Sequence, residues 1–424
     1  MTPNPSINAR QGLLYGLLGL PLAFVALPLY VILPNFYARD FGVPLATLGA
    51  VLLAARLLDA VIDPLIGRWC DRLFAHSLRA VLGFGAAAAV LLAVGFGLLF
   101  FPPTRQPPAL VAWATGLLIA TYAAYSALSV AHQSWGAMLG GDEAQRSRIV
   151  GWREGLGLVG VVLASVTPLQ FGLGATVLLF YAALALGWLA WTLAPRPHVS
   201  GSAAAGDIWL PFRRAAFRRL LGVFVLNGIA STIPATLVLF FVQDRLQSSR
   251  TMEPVFLATY FISAALSMPL WLRSVSRFGL ARSWLLGMLL AVAAFAGATQ
   301  LGAGDDMAFL AVCAMSGLAL GTDLAMPGAM LAGVITQAGD SGRSEGAYFG
   351  WWNFATKLNL ALSAGLALPL LAAFGYAPGA QNGAALQALT VAYCLLPCAL
   401  KLAAGCTLYL LIIRPERAGH TPCP

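Results

Sequence analysis

Two aspartates, Asp59 and Asp63, stand four residues apart in an otherwise apolar segment. On a helix this spacing places both carboxylates on one face. A charged side chain at the centre of a bilayer costs about 2.5–3.5 kcal/mol on insertion scales, so such residues usually face a partner, a cavity or an ion path. Two carboxylates this close favour uptake of a small cation or of a proton. We therefore predict that the pair holds a coupling ion, H⁺ or Na⁺, although pairing with Arg56 and Arg68 is the alternative for Asp63.

Lys357 is one of only two lysines in the chain. It lies too deep in an apolar segment for its ammonium group to reach the membrane interface easily. Facing a central cavity, its ammonium group would offset one of the two aspartates and leave a net charge for one monovalent cation. The alternative is a structural salt bridge between helices. The second lysine, Lys401, lies in a featureless apolar stretch and is interpreted as structural.

Further polar and aromatic side chains lie within the apolar segments and could orient a solute in a mostly apolar pocket. The predicted substrate-contacting residues are Tyr122, His132, Arg153, Asn227, Asp323, Trp351, Trp352 and Asn353. For three of them the alternative is a structural role without substrate contact. His132 could pack between helices, Arg153 could pair with Glu154, and Asp323 could cap or pair within its own helix.

The elements that must position these residues are transmembrane helices. Of the 424 residues, 59% are hydrophobic and only 10% are charged, whereas soluble domains carry roughly 25% charged residues. Long apolar runs separated by charge, Pro and Gly predict twelve spans, and the alternating pattern of a barrel strand does not occur. The sequence therefore predicts an all-α integral membrane protein.

A polar stretch that follows Pro195 divides the spans into six plus six. We predict an N-terminal bundle (1–195), a cytoplasmic linker (196–216) and a C-terminal bundle (217–424). The hairpin that contains Gly67, Asp71 and Arg72 has a counterpart near Arg273 and Arg277, which suggests a degenerate internal repeat. Two such halves with a site between them are typical of alternating-access carriers, and we assign Gly67, Asp71 and Arg72 to gating.

The net charge of +9 does not indicate nucleic-acid binding, because the basic residues are scattered between apolar runs. Most of them fall in segments that would face the cytoplasm, as the positive-inside rule requires. The prediction is a lipid-embedded, multi-pass protein of a bacterial-type inner membrane, functional as a monomer, with both termini cytoplasmic and no cleavable signal. The six dispersed cysteines are interpreted as packing residues.

Motifs of enzymes are absent from the sequence: there is no phosphate-binding loop, no zinc-binding His-Glu-x-x-His and no nucleophile elbow. We expect no enzymatic activity, no cofactor and no bound metal other than a possible sodium at Asp59 and Asp63. Transport energy would come from an ion gradient. One monovalent cation that crosses 100 mV releases about 2.3 kcal/mol, which supports roughly 50-fold accumulation of a neutral solute.

Nearly the whole chain resembles the major facilitator superfamily, and within it the glycoside-pentoside-hexuronide:cation symporters. The most specific segment is Arg56-x-x-Asp59-Ala-x-x-Asp63-Pro64-x-x-Gly67, which is similar to the cation motif of that family's second helix. Glu345-Gly346-Ala-Tyr348-Phe-Gly350, followed by Lys357 and Gly375-Tyr376, is similar to its eleventh helix. The resemblance implies two pseudo-symmetric six-helix bundles, Asp59 and Asp63 as cation ligands or proton carriers, and Lys357 as the charge that couples them to a small-molecule substrate such as a sugar.

The chain also departs from the family's sugar carriers. Ile62 replaces an oxygen-bearing Asn before the second acid, and the sugar-binding acids of helices one and four fall at Ala23 and Ala131. Sodium needs several oxygen ligands whereas a proton needs one carboxylate, so we favour H⁺ over Na⁺. Alternatives are a carrier of lysolipids or other amphipathic solutes and a proton-driven exporter. A transport-inactive receptor or scaffold would not need two midplane acids.

Overall fold

The computed structural model describes residues 7–104, 106–197, 207–373, 375–376, 379 and 382–417, and every regular element in this part of the chain is helical. The helices are numbered in chain order: α1 Ala9–Gly16, α2 Gly19–Leu27, α3 Leu33–Asp40, α4 Leu45–His76, α5 Leu78–Phe100, α6 Pro107–Met138, α7 Glu143–Thr192, α8 Leu210–Arg213, α9 Ala215–Phe240, α10 Glu253–Phe278, α11 Leu280–Ala298, α12 Asp306–Gln337, α13 Glu345–Ala373, α14 Gly383–Thr390, α15 Leu396–Leu408 and α16 Arg414–Arg417.

Ten segments of the described chain are long and apolar enough to cross a bilayer. Two more helices, α4 and α13, have 32 and 29 residues and carry the ionisable residues singled out above. At 1.5 Å per residue, each exceeds the roughly 30 Å of hydrocarbon in a bilayer. The twelve predicted spans are accounted for in this way.

Helix α7 has 50 residues and forms two spans rather than one. Pro168 cannot donate a backbone hydrogen bond, and Gly172 adopts a positive φ of 78° that is not helical. These two residues separate the fifth span from the sixth without a loop.

The first, seventh and twelfth spans contain wider, π-helical turns, at Pro28–Ile32, Phe241–Arg245, Val391–Leu395 and Tyr409–Ile413. Such turns shift the register of the side chains that follow and often lie near functional sites. The seventh and twelfth spans carry part of the polar network described below.

Polar side chains cap the starts of two long helices. Ser77 accepts from the backbone N–H of Ala80 at the start of α5, and Asp142 accepts from Gln145 at the start of α7. These caps satisfy donors that have no partner within the helix, each contributing about 1 kcal/mol.

Backbone contacts divide the chain into two units, Met1–Arg213 with Ala332–Phe354, and Arg214–Leu331 with Ala355–Pro424. The first boundary falls within the predicted linker, of which residues 198–206 lie outside the described part. The assignment of 332–354 to the first unit was not expected from the sequence, and the domain limits at 195 and 217 stay a prediction.

Each unit has an aromatic core. In the first unit Phe180 packs against Phe24 and Phe96, with ring centroids 5.9 and 4.5 Å away. In the second unit Tyr393 stacks on Phe241 at 4.3 Å. These cores hold the spans in place around the ionisable residues.

Candidate functional site

The two acids of α4 are both buried. Asp59 is 4% exposed and Asp63 is 0% exposed, and the helical spacing places them on the same face. Ser126 of α6 donates a hydrogen bond to Asp59 Oδ1 at 2.8 Å. A hydroxyl donor stabilises a carboxylate, so Ser126 of α6 holds the side chain of Asp59.

Helix α4 packs against the start of α13 through glycines. A Cβ added to Gly67 would overlap the carbonyl oxygen of Gly346, and a Cβ on Gly350 would lie 2.6 Å from the carbonyl oxygen of Asp63. Only glycine allows two helix backbones to approach this closely. The position of Asp63 is therefore fixed by the contact between α4 and α13.

Asp71 extends the same contact at the end of α4. Its carboxylate is 1% exposed and accepts hydrogen bonds from the backbone N–H groups of Gly346 (2.6 Å) and Ala347 (2.9 Å). These donors belong to the first turn of α13, whose dipole favours a negative charge. Of the three predicted gating residues, Gly67 and Asp71 thus share one contact with α13, whereas Arg72 is exposed.

Lys357 is half-buried in α13 and belongs to the second unit, whereas the two aspartates belong to the first. Its role as their counter-charge therefore stays a prediction. Asp59, Asp63 and Lys357 all have interactions within the protein.

Two predicted substrate residues in the first unit have protein partners. The ring of His132 stacks on Tyr15 with centroids 4.4 Å apart, and its Nε2 lies 2.8 Å from the backbone carbonyl oxygen of Tyr15. Arg153 Nε donates to Glu154 at 2.9 Å, and the pair is mostly buried. These contacts are those expected from the structural alternatives, in which His132 packs between helices and Arg153 pairs with Glu154. Tyr122 is 2% exposed in α6.

The three predicted substrate residues at 351–353 lie in the part of α13 that belongs to the first unit. Trp351 donates its indole N–H to the carbonyl oxygen of Ile208 at 2.8 Å, and its ring packs against Trp209 at 4.9 Å and Phe212 at 4.8 Å. It thus holds the chain segment that precedes the seventh span. Trp352 is buried and Asn353 is half-buried.

The most complete polar network lies in the second unit and is centred on Asp323. Its Oδ1 accepts from Asn227 and Trp284, both at 2.9 Å. Its Oδ2 accepts from Ser231 at 3.0 Å and from Lys401 at 2.9 Å. The single hydroxyl proton of Ser231 is shared with the carbonyl oxygen of Asn227, which also lies 3.0 Å away. A carboxylate offers about four lone-pair positions, so these donors leave Asp323 little spare capacity.

Lys401 is equally well satisfied. Its ammonium group donates to Asn227 Oδ1 at 2.9 Å, to Ser231 Oγ at 3.0 Å and to Asp323, and the residue is 3% exposed. A buried ion pair of this kind is retained only with good geometry and satisfied hydrogen bonds. The structure thus brings together two predicted substrate residues, Asn227 and Asp323, and gives Asp323 a partner on another helix rather than within its own.

Sequence reasoning missed Lys401 and Trp284 as members of this network. Their partners are far away along the chain: Asp323 is 78 residues from Lys401 and 39 from Trp284. One signal was present, because a buried lysine requires an acid and Asp323 is the mid-span acid of the C-terminal half. In the described residues no group of three His, Cys, Asp or Glu side chains could hold a metal ion.

Comparison with known proteins identifies the fold. The chain is similar to the crystal structure of a point variant of the E. coli fucose:proton symporter FucP, with a TM-score of 0.67 over 93% of this chain and 98% of that one. The sequence identity is only 12%, so the likeness concerns the fold alone. This is a multi-pass membrane protein with the major facilitator fold, as the sequence predicted.

The sequence also matches a protein family. The profile of the family described as MFS/sugar transport protein matches residues 14–414, and the chain belongs to that family. Its members are transporters and not enzymes.

Two Escherichia coli (strain K12) proteins are similar to parts of the chain. The inner membrane symporter YicJ is 26% identical over 288 residues, which is 62% of this chain and 60% of YicJ. The putative glycoside/cation symporter YagG is 28% identical over 153 residues, 36% of this chain and 33% of YagG. The matches therefore span less than two thirds of either relative.

Proposed function

We propose that this protein is a secondary active transporter that moves a small organic solute, such as a sugar or glycoside, inward together with a cation. The coupling ion is a proton rather than sodium, and the mechanism is alternating access. The observation that carries the proposal is the buried acid pair of α4: Asp59 is 4% exposed and Asp63 is 0% exposed. The chain that holds this pair belongs to a family of transport proteins.

The relatives support the general class. YicJ is a symporter and YagG is a putative glycoside/cation symporter. Like them, this chain would use a downhill ion to drive an uphill solute. We place it in the inner membrane of a bacterial cell, with both termini in the cytoplasm, as the distribution of basic residues indicates.

The choice of ion rests on the ligands that the acid pair offers. A sodium ion requires several oxygen atoms, and Ile62, between the two acids in sequence, supplies none from its side chain. One carboxylate suffices for a proton, and the hydroxyl of Ser126 is placed to hold Asp59 while the proton is absent.

Lys357 completes the proposed charge balance. With both acids ionised and Lys357 protonated, the three residues carry one net negative charge, and binding of one proton neutralises it. The conformational change of alternating access shields these residues from water, and neutral groups cost much less to bury than charged ones. The energetic preference for moving only the neutral form couples the ion to the solute.

The test is solute uptake by the purified protein in liposomes, with an imposed proton or sodium gradient and a panel of sugars, glycosides and lysolipids. Wild type should accumulate a sugar or glycoside up to roughly 50-fold at 100 mV with the proton gradient. Sodium-driven accumulation would overturn the choice of ion, and accumulation of lysolipid alone would overturn the choice of solute.

Asp59→Asn is the decisive variant, because an amide cannot exchange a proton near neutral pH. It should still exchange labelled for unlabelled solute while losing accumulation. Asp40→Asn is the matched control, since Asp40 is exposed at the end of α3. If Asp59→Asn accumulated solute as steeply as Asp40→Asn, the acid pair would not be the coupling site.

A further inference from the structure

A cavity of about 200 Å³ lies inside the second unit, and the transport proposal does not use it. Its walls come from α9, α10, α11, α12 and α15 and from the turn Val391–Leu395. Phe256, Phe261 and Phe295 contribute aromatic surface, and Asp323 and Lys401 also line the cavity. The cavity is therefore a mostly apolar chamber whose wall includes an ion pair.

The ion pair has little hydrogen-bonding capacity left for a ligand. Asp323 accepts from Asn227, Trp284 and Lys401 and shares the hydroxyl of Ser231 with the carbonyl oxygen of Asn227, and the three N–H groups of Lys401 donate to protein oxygens. A sugar ring would bring several hydroxyls into a chamber that cannot satisfy them. Each unsatisfied hydroxyl costs about 1–3 kcal/mol, so the chamber disfavours sugars.

Two tyrosine hydroxyls supply a limited polar character. Tyr260 and Tyr393 line the cavity, and neither hydroxyl is hydrogen-bonded to another residue of the described chain. Ser316 also lines it, but its hydroxyl already donates to the carbonyl oxygen of Val312 at 2.7 Å. The chamber thus offers aromatic faces together with one or two hydroxyl partners.

The volume suits a single ring. A dry apolar cavity of about 150 Å³ in another protein binds benzene. A chamber of about 200 Å³ therefore has room for one six-membered ring with a small substituent. Aromatic walls pair well with an aromatic ring in edge-to-face or offset geometry.

We propose that this cavity is a binding site for an uncharged, hydroxyl-bearing aromatic ring, a ligand of the phenol class. The ring packs between Phe256, Phe261 and Phe295, and its hydroxyl bonds to Tyr260 or Tyr393. The site is formed by the second unit alone and does not depend on the transport proposal.

The experiment measures binding of 4-fluorophenol to the full-length protein in lipid nanodiscs by ¹⁹F NMR, with empty nanodiscs to subtract partitioning into lipid. Ala319→Leu fills the cavity, because Ala319 lines it and is 3% exposed. Ala311→Leu is the matched control, since Ala311 is exposed on the same helix, α12. Ser316→Leu fills the cavity from a second position and provides the comparison if Ala319→Leu does not fold.

The expected result is saturable binding at one site per chain in wild type and Ala311→Leu, weakened at least tenfold in Ala319→Leu and Ser316→Leu. Excess glucose should not displace the probe. Equal binding by all four proteins would show partitioning into lipid only and would overturn the proposal. Displacement by glucose would overturn the assignment to the phenol class.

Discussion

The two units bury their acids in different settings. Asp323 in the second unit receives four donors, one of them the ammonium group of Lys401. Asp59 and Asp63 in the first unit stand on one face of one helix, and Ser126 donates a hydrogen bond to Asp59. An acid that is neutralised by a buried lysine is held in one charge state, whereas two neighbouring carboxylates favour a change of charge state or the binding of a cation. We therefore propose that the charges of the second unit stabilise its fold, whereas the acids of the first unit couple the ion.

The largest expected effect comes from breaking the pair in the second unit. Lys401→Met leaves the Asp323 carboxylate buried without its counter-charge, which should cost about 3–5 kcal/mol of stability. Thermal unfolding in detergent should show a large drop in Tm. Adding Asp323→Asn to the same chain should recover much of that loss, because no uncompensated charge remains.

Lys357→Met is the control for this comparison, since Lys357 is only half-buried. It should change coupling far more than Tm. If Lys401→Met lowered Tm no more than Lys357→Met does, the structural interpretation of the second unit's pair would be wrong.

A smaller loss is expected from the glycine contact between α4 and α13. Gly67→Ala introduces a methyl group that would overlap the carbonyl oxygen of Gly346, and overpacking of this kind costs about 1–3 kcal/mol. Both Tm and the transport rate should fall. Gly83→Ala in α5 is the matched control, because no atom lies within 4 Å of its added Cβ. Equal behaviour of the two variants would contradict the close packing at Gly67.

Asp71→Asn tests the contact at the start of α13. The amide keeps one acceptor oxygen but loses the negative charge that the helix dipole favours, at a cost of about 1–2 kcal/mol. Tm should fall modestly and the transport rate should change, whereas solute affinity at equilibrium should stay near that of wild type. An unchanged rate would remove Asp71 from the gating residues.

The smallest effect is expected at Trp351. Trp351→Phe keeps an aromatic ring but removes the hydrogen bond to Ile208, worth about 1 kcal/mol. Solute binding, measured by titration of the purified protein, should be unchanged. A large loss of affinity would instead support the sequence-based prediction that Trp351 stacks on the substrate.

Local sequence patterns were sufficient to predict the fold class and to predict that Asp59 and Asp63 lie on the same helix face. Apolar run length determines whether a segment can span a bilayer, and helical spacing determines which side chains point the same way. The all-helical major facilitator fold was confirmed by the solved relative. The hydrogen bond from Ser126 to Asp59 joins residues 67 apart, and nothing local to either residue indicates it.

Long-range pairings account for what the sequence did not reveal. Lys401 was interpreted as structural, and that interpretation stays a prediction. Its partners depend on how α9, α12 and α15 pack. The hydrogen bond from Trp351 to the carbonyl oxygen of Ile208 depends on the path of the chain before the seventh span. Such contacts are set by tertiary packing between distant segments, which periodicity and composition do not encode.

The central claim is that the first unit's acids carry the ion and the second unit's pair does not. Proton uptake that accompanies solute entry, followed with a pH electrode in deenergised membrane vesicles, tests it directly. Asp59→Asn should exchange solute without moving protons, whereas Lys401→Met combined with Asp323→Asn should still move one proton per solute. Proton uptake that survives in Asp59→Asn and disappears in the double variant would contradict the account.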